Sequence, residues 1–195
     1  KSLATLPVTF MILGVASAAF PAAVSARKFG RKIASLIGFG IGLLASLLAA
    51  YAAYRLSFTL FTLASMMIGI CTAFVQQLRF AAIESINNKD KIPTVLSILM
   101  LSGIFAAFIG PEIALVGKDL VDSPHGFTGS FIMLSFLVLI AMFIFLAFSN
   151  PISQNQSIDK SPRPTLEIIK QPIFIISVVA AALGFALMSY VMTAT

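Results

Sequence analysis

The sequence predicts an all-α integral membrane protein, and three observations support this fold class. Hydrophobic residues make up 59% of the 195 residues and charged residues only 10%. This apolar content exceeds what a soluble domain of the same length buries in one core. The apolar residues are also grouped into six runs of about 20 residues, the length at which a helix crosses about 30 Å of hydrocarbon. Lipid is therefore the solvent expected for most of the chain.

Six transmembrane helices are predicted, with short connections between most of them. The spans cover residues 6–26, 33–54, 58–78, 93–116, 128–148 and 172–193. The first span resembles a signal peptide, but its apolar part is too long for one and further spans follow it. The one long polar segment, residues 149–171, is rich in Ser, Asn, Gln and Pro, as is typical of a linker. We therefore predict a first bundle over residues 1–148, a linker over residues 149–171 and the first helix of a second bundle over residues 172–195.

The distribution of Lys and Arg predicts the orientation in the membrane. Ten of the 13 basic residues lie in the connections 27–32, 79–92 and 149–171. Cytoplasmic loops of membrane proteins retain basic residues, so these connections are expected to face the cytoplasm of a plasma or inner membrane. The visible N-terminus is then outside, which predicts a further span upstream in a longer, multi-pass protein. Basic clusters beside apolar spans favour membrane lipids as partners and argue against nucleic acid.

The sequence contains no recognisable catalytic or metal-binding motif. It has no H-E-x-x-H, no G-x-S-x-G and no phosphate-binding Gly-Lys loop, and it contains one His and one Cys. We therefore expect no catalytic residue, no metal site, no cofactor and no enzymatic activity. An intramembrane hydrolase would need residues from outside this chain.

The highest concentration of charge lies in the turn between the first two spans, Arg27-Lys28-Phe29-Gly30-Arg31-Lys32. Gly30 permits a tight turn with positive φ, and cations are favourable beside helix ends and lipid phosphates. The segment resembles the cytoplasmic loop between helices two and three of the major facilitator superfamily, usually written G-x-L-A-D-R-x-G-R-R. Residues 28–32 match its second half, whereas Ala23 replaces the expected Gly and Arg27 the expected Asp.

The resemblance extends over the whole chain and implies helices two to seven of a twelve-helix transporter, six of which are therefore visible in this chain. It implies a gating role for the loop residues Arg27, Lys28, Gly30, Arg31 and Lys32. In the family the replaced Asp belongs to a charge network involved in conformational switching. Any such network in this chain must therefore use other residues. The alternative is an anchor that only fixes the topology.

A polar stripe marks the third span, where six residues recur at helical spacing: Thr62, Ser65, Gly69, Thr72, Gln76 and Arg79. In the family this span would be helix four, which helps to line the central cavity. The resemblance therefore implies a substrate path that includes Thr72, Gln76 and Arg79. The alternative is packing through small residues, with Arg79 reaching the interface. The Arg that many proton-coupled members carry in this helix is replaced by Met66.

Small residues recur along the fourth span at Gly103, Ala107, Gly110 and Ala114, which predicts a close-packing face kinked at Pro111. Gly103 and Gly110-Pro111 also resemble a reduced antiporter signature of family helix five, whose ending G-P-x-x-G-G is incomplete in this chain. In the second span, Gly38 and Gly42 form a G-x-x-x-G pair that is typical of helix packing and less often of dimerisation.

Glu112 is the one carboxylate within the six predicted spans. Ionisable groups inside membrane helices are frequently functional, so a role in coupling or gating is one interpretation. The residue also lies about 28 Å along its helix, near the outer interface, where a carboxylate needs no function.

These features together predict a secondary active transporter that moves a small solute by alternating access. The expected partners are that solute and a coupling ion, most often a proton, with export slightly favoured over uptake and a monomeric state expected. The alternative is a channel or a non-transporting scaffold subunit, although no filter-like loop is visible. The identity of the solute is not encoded in these residues, because the first and tenth family helices, which line the cavity, lie outside this sequence.

Overall fold

The computed structural model describes residues 5–84, 89–121, 127–147 and 171–194, and the regular elements in these ranges are all helices. They are α1 (Leu6–Arg55), α2 (Phe58–Gln76), α3 (Leu78–Glu84), a 3-10 turn (Lys89–Lys91), α4 (Ile92–Lys118), α5 (Thr128–Leu146) and α6 (Pro172–Ala194). The all-α prediction is thus confirmed. The predicted linker up to residue 170 and the predicted outer loop over residues 122–126 lie outside the described residues.

Four helical stretches in the described ranges are long and apolar enough to cross a membrane: Leu6–Arg55, Phe58–Ile83, Ile92–Lys118 and Thr128–Leu146. A shorter apolar stretch, Pro172–Gly184, lies in α6. Residues Lys1–Ser153 and Gln154–Thr195 form two separate compact units. The described part of the second unit is α6 with the residue before it, so the predicted second bundle stays a prediction.

Helix α1 contains the first two predicted spans, folded back on each other. Its backbone leaves helical geometry at Gly30. Gly14 lies against Met66 of α2, and Gly42 lies against Cys71 of the same helix. In a straight helix residues 14 and 42 would be about 42 Å apart, whereas residues 66 and 71 are separated by about 7.5 Å along α2. The chain therefore reverses at Gly30, and residues 6–29 and 31–55 form a helical hairpin.

Glycines bring both arms of this hairpin into close contact with α2. A Cβ added to Gly14 would overlap the Met66 carbonyl oxygen, and one added to Gly69 would overlap the Met11 carbonyl oxygen. On the other arm, a Cβ added to Gly38 would lie 2.5 Å from the Phe74 Cβ. Such backbone contact through small residues is the usual way in which helices associate in lipid. The predicted G-x-x-x-G pair thus serves packing within the chain.

Two short connections fix the position of α2. Leu56 takes a left-handed conformation (φ 54°) after α1, and the Ser57 hydroxyl accepts a hydrogen bond from the Leu60 amide at 3.5 Å. At the other end the helix breaks only briefly at Gln77 and continues as α3. The prediction that a polar connection begins at Arg79 was wrong, because residues 78–84 are mostly good helix formers and extend the helix by two turns.

Helices α4 and α5 pack against each other at one end. Gly117 near the end of α4 lies against the Ser130 backbone, and the Ser130 hydroxyl donates to the Ala114 carbonyl oxygen at 2.6 Å. Residues 101–110 of α4 are all exposed. Helix α5 also packs on the second arm of α1, where the rings of Phe39 and Phe145 lie 5.7 Å apart.

Candidate functional site

The turn at residues 27–32 depends on the backbone of Gly30. Its φ of 83° and ψ of 159° fall in a region that is open essentially to glycine alone. A Cβ added to Gly30 would meet no atom within 4 Å. Backbone conformation, and not lack of space, therefore requires glycine at this position, and the predicted positive φ is confirmed.

Arg31 connects this turn to the junction between α2 and α3. Its Nη1 donates a hydrogen bond to Oε1 of Gln77 at 3.3 Å. Its guanidinium carbon also lies 5.6 Å from the ring centroid of Phe80 in α3, within the range of a cation–π contact. Arg31 is half-buried. Two contacts of different kinds therefore fix the side chain on one neighbouring element.

Lys32 connects the same turn to the end of α5. Its Nζ donates a hydrogen bond to the carbonyl oxygen of Leu146 at 2.8 Å, and Leu146 is the last residue of α5. The last carbonyls of a helix have no partner within the helix and carry the negative end of its dipole, so a lysine is favourable there. Arg31 and Lys32, which we call the docked pair, thus tie three elements together at one end of the bundle. We call this end the basic end.

The other two cations of the turn make no such contact. Arg27 and Lys28, the exposed pair, have no hydrogen-bond partner among the described residues, and Phe29 between the pairs is 57% exposed. The predicted gating loop therefore has two parts, one fixed on the bundle and one exposed. Arg27, at the position of the family Asp, belongs to the second part.

The residues of the predicted substrate path differ in their surroundings. Thr72 is half-buried, and its hydroxyl donates to the Ile68 carbonyl oxygen at 2.9 Å. Gln76 and Arg79 are exposed. Further along the same stripe, Gly69 packs on the first arm of α1. The stripe is thus covered in its middle and uncovered at the basic end, and its role as a solute path stays a prediction.

The predicted features of α4 lie on a helix with few neighbours. A Cβ added to Gly103 or to Gly110 would meet no described atom within 4 Å, and Pro111 and Glu112 are exposed. Around Gly103 and Gly110 the predicted packing face therefore has no close partner within the described part of the chain, whereas Ala114 lies at the contact with α5. Gly110 does border an apolar cavity of about 270 Å³ between α4 and α5. The antiporter-like and coupling roles stay predictions.

Sequence reasoning missed three partners of the docked pair, namely Gln77, Phe80 and the Leu146 carbonyl. Gln77 and Phe80 are three residues apart, so they lie on one helix face once the third span is extended through residue 84. That spacing was the available signal. A backbone carbonyl carries no sequence signal.

Comparison with known proteins identifies the family. The model of the Major Facilitator Superfamily matches residues 1–195. The chain belongs to the major facilitator superfamily. It is therefore an integral membrane protein of a transporter family, as predicted.

Two curated members of the superfamily resemble this chain. The chain is 34% identical to the riboflavin transporter RfnT of Brucella anthropi over 195 residues, which is 99% of this chain and 48% of that protein. It is 29% identical over 153 residues to YddS of Bacillus subtilis, an uncharacterized MFS-type transporter, covering 77% of this chain and 35% of that protein. No solved structure matches significantly. The chain spans about half the length of the first relative, and its match covers about a third of the second. Both shares are consistent with helices two to seven of a longer transporter.

Proposed function

We propose that the full-length protein is a secondary active transporter that moves a small solute by alternating access, and that riboflavin is the first solute to test. Membership of the superfamily supports the transport mechanism. The choice of solute rests on the relative that is named as a riboflavin transporter, because its 34% identity extends over 99% of this chain. A match of that extent includes the polar stripe of α2 and is not confined to the loop motif.

In this proposal the turn at residues 27–32, which we call the basic turn, acts as a gating element. The docked pair holds the hairpin, the α2–α3 junction and the end of α5 together, so this end of the bundle moves as one body. The single contact that carries this step is the hydrogen bond from Arg31 to Gln77, supported by the Phe80 ring. The exposed pair supplies positive charge at the surface of the same end of the bundle.

The proposed solute path begins at the uncovered part of the polar stripe. Gln76 and Arg79 supply exposed hydrogen-bonding groups on one face at the basic end, and Thr72 continues that face into the bundle. We assign proton coupling to Glu112, the one carboxylate in the predicted spans. Export is the proposed direction, which rests on Gly110-Pro111 and their resemblance to the antiporter signature.

Transport by purified full-length protein in liposomes tests the proposed activity. Riboflavin fluorescence inside the vesicles is expected to rise with a rate that saturates with solute concentration, without ATP, and that increases when a pH gradient is imposed. Glu112→Gln should remove the effect of the pH gradient. The matched control is Asp119→Asn, because Asp119 is an exposed carboxylate just beyond the end of α4. Strict ATP dependence, or a rate that never saturates, would contradict the proposal.

A double-mutant cycle tests the gating role. Arg31→Ala, Gln77→Ala and the double variant are compared by transport rate, with the logarithm of each rate ratio expressed as a free energy. Groups in direct contact show coupling of about 0.5–3 kcal/mol, whereas separated groups add to within about 0.5 kcal/mol. Arg27 with Gln77 forms the control cycle, because Arg27 is exposed and the Gln77 side chain accepts its hydrogen bond from Arg31 instead. Additive effects in both cycles would leave the turn as a topology signal only.

A further inference from the structure

The end of the bundle opposite the basic turn carries an apolar groove of about 600 Å³. It lies between the end of α1, the start of α2 and the start of α5. Its walls include Phe58, Phe61, Phe127 and Phe131, together with Leu56 and Ser57, and we call it the aromatic groove. Two of these rings, Phe61 and Phe131, meet edge to face with their centroids 5.6 Å apart.

The walls of this groove select a hydrocarbon occupant. Ser57 supplies the one side-chain polar group among the lining residues. Its hydroxyl already accepts the hydrogen bond that begins α2. A polar solute or a peptide strand placed in the groove would leave its own donors and acceptors without partners, which is costly away from water.

The rim of the groove is cationic. The Nζ of Lys118 lies 5.8 Å from the ring centroid of Phe127, which is itself a wall of the groove. Lys118 is exposed and forms no ion pair with a described residue, including its neighbour Asp119. Arg55, also exposed, is the last residue of α1 and directly precedes Leu56 of the wall.

Aromatic residues place this rim at the depth of the lipid head groups. Tyr51 and Tyr54, in the last turns of α1, are 53% and 58% exposed. Exposed tyrosines concentrate where the hydrocarbon of a bilayer meets its head groups, and Lys and Arg side chains near helix ends extend toward the same level. The groove therefore has phosphate-level cations at its rim and hydrocarbon along its walls.

We propose that the aromatic groove binds one acyl chain of an anionic phospholipid, whose phosphate contacts Lys118. The charge of the rim is complementary to the phosphate, and the apolar walls match the chain. A second copy of this protein is a poorer occupant, because a two-fold contact through this face would bring the same cations together from both copies. The site is separate from the proposed solute path, so the inference does not rest on transport activity.

Quenching of tryptophan fluorescence by brominated lipid tests this site in the full-length protein. The 195-residue sequence contains no tryptophan, so Phe58→Trp adds a reporter in the groove, measured as the difference from the parent protein. Tyr54→Trp is the matched control, because Tyr54 is an exposed aromatic residue four positions away that does not line the groove. Vesicles of phosphatidylcholine receive increasing amounts of phosphatidylglycerol brominated on its acyl chains.

The expected result is half-maximal quenching at the groove reporter at a mole fraction at least threefold lower than at the control. Lys118→Gln should remove this difference and Lys118→Arg should retain it. Equal curves at both reporters, or equal quenching by brominated phosphatidylcholine and phosphatidylglycerol, would overturn the proposal.

Native mass spectrometry of phosphatidylglycerol retained by the parent protein and by Lys118→Gln gives a second measurement that needs no substitution in the groove. Loss of one bound lipid on Lys118→Gln is expected. Equal retention by the two proteins would overturn the proposal.

Discussion

Replacing Gly30 with alanine isolates the backbone requirement of the basic turn. An added Cβ would meet no atom within 4 Å, so the substitution creates no clash. The cost comes from the dihedral angles alone, because φ 83° and ψ 159° are strongly unfavourable for a residue with a Cβ. Residues held in such regions cost about 1–3 kcal/mol each, which corresponds to about a 5- to 150-fold change in an equilibrium constant.

Gly40→Ala is the matched control for Gly30→Ala. Gly40 lies in the same helix α1, within its helical part, and a Cβ added there would also meet no atom within 4 Å. Alanine is favoured over glycine inside a helix by about 0.5–1 kcal/mol. The two variants should therefore differ by about 1.5–4 kcal/mol, with Gly30→Ala the less stable.

The assay is reversible unfolding of the full-length protein by SDS in mixed micelles, followed by circular dichroism. Transport rate is the second readout, since a gating turn that is strained should also slow the conformational change. If Gly30→Ala is as stable as Gly40→Ala, the turn does not hold the positive φ and the reasoning fails. Reduced stability with unchanged transport would restrict the turn to a structural role.

Two further substitutions test the packing and the docked pair. Gly69→Ala should lower the free energy of unfolding by about 1–3 kcal/mol, because the new methyl group would meet backbone atoms of α1 that cannot move aside. The control Gly103→Ala should not lower it, because the space beside Gly103 is open. Equal effects of the two substitutions would contradict the close approach of α1 and α2 at Gly69. Lys32→Gln should lower the free energy of unfolding by about 0.3–1 kcal/mol and speed amide hydrogen exchange in the last turn of α5. The control Lys28→Gln should have neither effect. Unchanged exchange in Lys32→Gln would contradict the contact with Leu146.

The helices were predictable because their signal is local. The length of an apolar run sets the length of a membrane helix, and the predicted bounds of the fourth and fifth spans differ from α4 and α5 by at most two residues at each end. The reversal at Gly30 was predictable for the same reason, since a glycine within a turn of four cations separates two apolar runs. The extension of α2 into α3 was not, because the polar residues that suggested a loop are compatible with an exposed helix end.

The partners of the docked pair were not predictable from the sequence. Arg31 and Gln77 are 46 residues apart, and Lys32 and Leu146 are 114 apart, so both contacts depend on how the helices assemble. For α4 the sequence predicted a packing face but not the helix that covers it. Its small residues indicate close packing, but they do not specify which helix covers them, and the described part of the chain leaves Gly103 and Gly110 uncovered.

Solute counterflow tests most directly whether the full-length protein is a carrier. Proteoliposomes loaded with unlabelled riboflavin are diluted into a trace of radiolabelled riboflavin, with no ATP and no ion gradient. A carrier that exchanges its solute accumulates label transiently inside the vesicles above the equilibrium level, and this overshoot is the predicted result. A simple approach of the label to equilibrium, with no overshoot, would indicate a channel and contradict the proposed mechanism.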